Sequence, residues 1–169
     1  LFGAGHVGRA LCTIASQLPI QVTVFDARPD QCVQVPGAAN LFVDERFDPV
    51  GGAQQLQNYE AALVMTHSHA LDYDLCRILL RRPDLVYTGL IGSESKSRRF
   101  RKALRKDGLH DLELARLTCP IGKDGPHGKE PGIIAISVLS EILTLCQRAQ
   151  DRPQSSSATA TPLSKAHHG

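Results

Sequence analysis

Three clusters in this chain combine residue types and spacings that could handle a ligand. The first is Gly3-Ala4-Gly5-His6-Val7-Gly8, three glycines spaced G-x-G-x-x-G. In such a loop the first glycine permits a tight turn and the second lets backbone approach a pyrophosphate. The third allows close helix–strand packing. A helix opening near Val7 would aim unpaired N–H groups and a positive dipole end at an anion. Asp26 follows 18 residues after Gly8, at the end of a β-branched run, where the dinucleotide fingerprint places an acceptor for ribose hydroxyls. Arg28, two residues on, blunts the preference for NAD over NADP that such an acid brings.

The second cluster is Thr66-His67-Ser68-His69. Two histidines at i and i+2 could ligate a metal, with His6 or Cys119 completing a set. Structural zinc sites, however, take four ligands at recognisable spacings, which are missing here. Hydrogen bonding to a ligand without a metal is the preferred reading. The competing structural account is an N-cap, with Ser68, His69 or Asp72 closing the helix that follows. The third cluster is Gly92-Ser93-Glu94-Ser95-Lys96, a second strand end that opens a helix. Seven of the eleven residues 96–106 are Lys or Arg, which reads as a solvated or protein-facing surface with Lys96 nearest the ligand edge. Cys119-Pro120-Ile121-Gly122 reads only as ordered loop, and scattered cysteines in a reducing compartment are more often packing than reactive thiols. No tyrosine–lysine pair at helical spacing and no Ser/His/Asp order stands out, so no catalytic residue is assigned.

The elements that must position these clusters alternate. Residues 1–2 end a strand that runs into the glycine loop, and Val7, Leu11, Ile14, Ala15 and Leu18 follow helical spacing until Pro19. Strands are expected at residues 21–25, 40–43, 61–65 and 85–91. Helices are expected near 53–57 and over 71–82, 95–106 and 133–147, with a Gly/Pro-rich loop at 118–131. The continuous apolar run Ala61-Ala62-Leu63-Val64-Met65 suits a strand covered on both faces. Strands alternating with helices predict an α/β fold, a Rossmann-like, doubly wound parallel sheet with flanking helices. All three clusters then fall after strand ends, on one edge of the sheet.

The 169 residues suffice for one domain with a real core, and 42% apolar with 21% charged composition is globular. A net charge of +2 gives no global case for nucleic acid. By inspection no apolar run is long enough to span a bilayer, so no membrane role is expected. Five cysteines, an odd number without C-x-x-C spacing, argue against a disulfide framework and for a reducing, cytoplasmic setting. The Ser/Thr/Pro-rich residues 149–169 are expected to be a disordered tail, leaving 1–148 as the domain. The chain enters mid-motif at Leu1, which reads as a truncated first strand and predicts marginal stability.

The blocks G-A-G-H-V-G-R-A-L, V-F-D-A-R, V-M-T-H-S-H-A-L-D, Y-T-G-L-I-G-S-x-S-K-x-R-R-F, L-T-C-P-I-G and G-K-E-P-G-I-I-A-I-S occur in that order. Together they resemble the C-terminal Rossmann-like domain of the XdhC/CoxI family, the xanthine dehydrogenase accessory proteins, over residues 1 to about 148. The resemblance implies a chaperone for the molybdenum cofactor (molybdopterin). Such a protein holds the cofactor while its sulfido ligand is installed and passes it to apo-xanthine dehydrogenase or a related molybdenum hydroxylase. A cysteine desulfurase and a homodimer are further implied partners, and no turnover of its own is implied. Carried over by motif, Gly3, Gly5, His6, Val7, Gly8, Asp26, Thr66, His67, His69, Gly92, Ser93 and Lys96 become cofactor-binding candidates. The family's N-terminal domain, with its own cysteine motif, lies outside the resemblance. Pro126 stands where an aliphatic residue is expected. An NAD(P)-dependent oxidoreductase and a nucleotide-sensing regulatory module, with the basic helix as its partner surface, are the alternatives.

Overall fold

A computed structural model describes residues 1–45, 48–58 and 60–150. The elements run α1 (His6–Ala15), β1 (Val22–Phe25), α2 (Pro29–Cys32), β2 (Leu41–Asp44), α3 (Pro49–Gln54) and β3 (Ala61–Val64). They continue as α4 (His69–Leu79), β4 (Tyr87–Leu90), α5 (Glu94–Lys106), α6 (Asp111–Leu114), β5 (Leu117–Thr118) and α7 (Pro131–Gln150).

Every strand pairing is parallel. β1 pairs with β2, β3 with β4, and β4 with β5. The two groups meet through Phe2, which makes parallel bridges to both Phe25 and Val64. Phe2 N donates to Leu63 O and Phe2 O accepts from Met65 N, while Leu1 O accepts from Phe25 N and Gly3 N donates to Phe25 O. The spatial order is therefore β2–β1–(Phe2)–β3–β4–β5. The chain reverses its direction of travel at Phe2, the switch point where open α/β sheets place their ligand crevice.

β3 shows why its run is wholly apolar. Ala62 and Val64 join the core under α4 and α5, with Phe2, Leu75, Leu79, Leu90, Phe100 and Leu104. Leu63, followed by Met65, faces the opposite layer with Leu11, Ala15, Val24, Val138, Leu139 and Ile142, where α1 packs on α7. Alternate residues serve alternate layers because side chains in a strand have a period of two.

The structure moves several boundaries. The helix expected near 53–57 lies at Pro49–Gln54, because Asp48 accepts from Gly51 N at 2.8 Å and Pro49 starts the turn. The helix expected over 71–82 begins at His69, because Ser68 caps it. The short α2 and α6 fall in stretches where no element was expected, and β5 ends at the first residue of the loop expected over 118–131. α7 reaches Gln150, two residues into the segment read as tail, and the remainder of that segment lies outside the described residues. The bilayer-length reading is also corrected. By length and composition alone, Pro131–Arg148 is apolar enough to cross a membrane, with a mean hydropathy of 1.2. Ala135, Val138, Leu139 and Ile142 of that helix are buried in the α1 layer. Loop 119–130 folds back on it, with Ser137 Oγ donating to Pro126 O at 2.9 Å, so Pro126 serves here through its carbonyl.

Candidate functional site

The glycine loop is built by close approach. Gly3 has φ 114°, and a Cβ there would lie 2.3 Å from Met65 O, so the turn presses directly on the end of β3. A Cβ on Gly8 would lie 2.3 Å from Gly3 O, so α1 sits against that turn. Gly5 differs, because a Cβ there would meet nothing within 4 Å. It is the N-cap of α1, and no side chain caps this helix. The first-turn N–H groups of a helix have no partner within it, so those of His6, Val7 and Gly8 form an uncapped donor set beside the space over Gly5. His6 is exposed, Val7 half-buried and Gly8 buried.

Asp26 stands at the end of β1, next to this loop, and is 5% exposed. Its Oδ2 accepts from Ala4 N at 2.7 Å and from Arg28 Nη2 at 2.6 Å. Its Oδ1 accepts from Arg28 N at 3.0 Å and Arg28 Nε at 2.9 Å. The carboxylate read as a ribose acceptor is thus fully engaged by backbone and by Arg28. Burial pushes its pKa up, but the Arg28 guanidinium and the Ala4 and Arg28 N–H groups more than offset this and hold it below the usual carboxylate value. Arg9 braces the same corner, with Nη1 donating to Ala4 O at 2.8 Å and Gln31 Oε1 at 2.6 Å.

The Thr66–His69 and Gly92–Lys96 segments are brought together on the same edge, and they close on each other. Asp72, 1% exposed, accepts from Thr66 N at 3.0 Å and Thr66 Oγ1 at 2.8 Å through Oδ1. Its Oδ2 accepts from Lys96 Nζ at 2.7 Å, and Lys96 also donates to Ile91 O at 2.9 Å. A Cβ on Gly92 would lie 2.5 Å from Lys96 Cδ, so the lysine stem folds over that glycine. Ser68 accepts from Leu71 N and Ser93 from Lys96 N, capping α4 and α5. His67 and His69 are exposed. His69 Nδ1 lies 3.0 Å from Arg99 Nη2. Among the described residues no group of three His, Cys, Asp or Glu side chains gathers at one point.

Cys119 is 7% exposed, and burial pushes its thiol up against the opposing pull of Ser97, Lys96 and Arg101. All five cysteines are free. Two cavities lie away from the glycine loop. One of about 460 Å³ sits between Tyr87, Thr118 and Glu141, and another of about 410 Å³ is flanked by Leu1, Val22 and Ala61.

An uncapped helix after a glycine turn, at the switch point of a parallel sheet, is a nucleotide-fold edge whose family the known relatives decide. The family model of the XdhC Rossmann domain matches residues 1–142. The chain belongs to the XdhC family. A crystal structure titled as a xanthine dehydrogenase from Bacillus halodurans is 30% identical, with a TM-score of 0.67 over 93% of this chain and 44% of that one. The protein named YqeB of Escherichia coli K12 is 30% identical over 151 residues, 88% of this chain and 27% of its own length. A Bacillus subtilis 168 protein, named as a probable component of xanthine dehydrogenase, is 30% identical over 154 residues, 88% of this chain and 42% of its own length. This XdhC Rossmann domain therefore spans less than half of each of these proteins.

Within the domain, sequence reasoning treated Asp72 only as a possible cap and did not foresee the Arg28 clamp or the Arg9 brace. The available signal for Asp72 was an acid one turn inside a helix whose strand-end loop faces Lys96. For Arg28 it was the D-x-R spacing itself, which lets a guanidinium fold back on the carboxylate two residues before it.

Proposed function

We propose that this chain is the cofactor-holding Rossmann domain of a molybdenum-cofactor accessory protein. In this reading it binds molybdopterin and hands it to xanthine dehydrogenase or a related molybdenum hydroxylase. The observation that carries it is the uncapped α1 N-terminus with open space over Gly5, at the switch point of the parallel sheet.

The residues present fit the phosphate of such a ligand. The N–H groups of His6, Val7 and Gly8 supply donors, and the helix end supplies positive potential. Arg9, whose guanidinium bonds only neutral acceptors, adds cationic charge beside the same loop, while Arg28 neutralises buried Asp26 and Lys96 neutralises buried Asp72. His6, His67 and His69 are exposed polar groups on the rim, available to a ligand or to a recipient protein. When bound, the cofactor carries the redox chemistry of the enzyme that finally receives it. This chain's residues bind, orient and release it. The names of the Bacillus relatives support a xanthine dehydrogenase setting, and five free thiols suit a reducing compartment.

The test is mass spectrometry of small molecules released from the protein after anaerobic purification from cells that make the cofactor, with molybdenum counted in parallel. Molybdopterin with near-stoichiometric molybdenum is the expected result. Nicotinamide or adenine nucleotide without molybdenum overturns the reading in favour of a conventional dinucleotide site.

A further inference from the structure

We infer that Arg28 makes the glycine-loop edge selective for a ligand with a phosphomonoester beside Asp26, against one that presents a ribose diol there. The inference rests on the reading that this edge holds a phosphorylated ligand, and it names the group that ligand presents beside Asp26.

A ribose diol bound at the end of the second strand of such folds donates to an acidic side chain, and that acid must have lone pairs to offer. A carboxylate has about four such sites. Four donors already occupy Asp26: Ala4 N, Arg28 N, Arg28 Nε and Arg28 Nη2, all between 2.6 and 3.0 Å. To accept from a diol, Asp26 would have to give up part of a bidentate guanidinium pair, the strongest class of charge-assisted bond in a protein. Asp26 is moreover 4% exposed at its side chain, whereas Arg28 is 30% exposed. What the corner presents is therefore the outer face of the guanidinium. Nη1 has no hydrogen-bond partner among the described residues, and a guanidinium has donors in a fork that matches phosphate oxygens. Arg9 stands one helical turn into α1 and adds a second positive charge to the same corner. Asp30 is the opposing charge on α2, and its Oδ2 accepts from Gln31 Nε2 at 2.8 Å.

The saturated acid also bears on the form of the ligand. A cofactor extended by an unphosphorylated nucleoside would place its diol against a carboxylate with nothing left to offer. A pterin ending in its own phosphate, or a nucleotide with a 2′-phosphate, would meet the guanidinium instead.

Calorimetric titration of the whole chain with three probes tests this: adenosine 2′,5′-bisphosphate, 5′-AMP and 6-hydroxymethylpterin monophosphate. Adenosine 2′,5′-bisphosphate is expected to bind at least about tenfold more tightly than 5′-AMP. Binding of the pterin phosphate at least as tight as the bisphosphate assigns the phosphate to a pterin, and weaker binding assigns it to a nucleotide. Arg28→Gln removes the clamp and frees two Asp26 lone pairs, so it should weaken the bisphosphate and strengthen 5′-AMP, inverting the order. Arg28→Lys keeps the charge but loses the fork, so it should retain a reduced preference for the bisphosphate. A thermal melt of each variant controls for folding. Equal affinities in the parent chain, a preference for 5′-AMP, or an Arg28→Gln variant with an unchanged ratio would each overturn the inference. Purified protein lacking molybdopterin but keeping the phosphate preference would instead overturn the proposed function and leave this inference standing.

Discussion

Three helices begin on the same edge of one parallel sheet, yet they treat their first turns in opposite ways. α4 and α5 are closed by Ser68 and Ser93, and the loops before them are stitched together by Asp72 and Lys96. α1 has no side-chain cap, and the space over its N-cap glycine is open. The same strand–loop–helix grammar thus yields one end left open to an anion and two whose first turns are each closed by a serine. A glycine-rich loop matters here for what it leaves undone as much as for the turn it makes.

Breaking the closed side should have the largest effect. Lys96→Met leaves a buried Asp72 carboxylate without its cation, and should lower unfolding stability by about 3–5 kcal/mol in denaturant melts. The double variant Asp72→Asn, Lys96→Met should recover part of that loss. If Lys96→Met costs under about 1 kcal/mol, the lysine is free to face a ligand and the contrast between the two regions fails.

The glycines sharpen the comparison next. Gly3→Ala combines a positive φ with a backbone overlap at Met65 O, and should cost about 2–4 kcal/mol. Gly5→Ala adds a methyl to open space and should cost no more than about 1 kcal/mol, the scale of an N-cap change, while sharply weakening phosphate binding. Titration of the folded variant checks this, and unchanged binding would move the ligand away from Gly5. Removing either serine cap, Ser68→Ala or Ser93→Ala, should cost about 1 kcal/mol and leave phosphate binding intact.

The smallest effect is the pH dependence of Asp26. Its folded pKa lies below the unfolded value, so its contribution is fully present above about pH 4 and fades as pH falls through the lower folded value. The stability gap between the parent chain and Asp26→Asn should therefore be constant near neutrality and narrow below about pH 4. A gap that widens on acidification would show that Arg28 does not hold the charged form.

The sequence carried the order of elements well, because each depends on neighbours in the chain. The apolar run at 61–65, the glycine loop and the cap-to-helix transition at Ser93 are all local signals. The short α2 and α6 were not legible, since a single turn of helix leaves no periodicity to read. The partner choices of polar residues were less legible still. Lys96 reads as a ligand-facing cation until Asp72, 24 residues earlier, is placed beside it. Arg28 reads as a mild modifier of Asp26 until its side chain is seen to take both oxygens. Burial supplies the reason, because an acid withdrawn from water takes whichever donor the fold brings within reach.

Phe2 has a mechanical consequence. Main-chain bonds of residues 1–3 join the β1–β2 half of the sheet to the β3–β4–β5 half, with Leu1 O and Gly3 N on Phe25 and Phe2 N and O on Leu63 and Met65. The glycine loop and α1 follow those residues directly. A small shift of either half would therefore be passed straight to the backbone that opens α1, so the anion-ready end of the domain is coupled to both halves of its sheet.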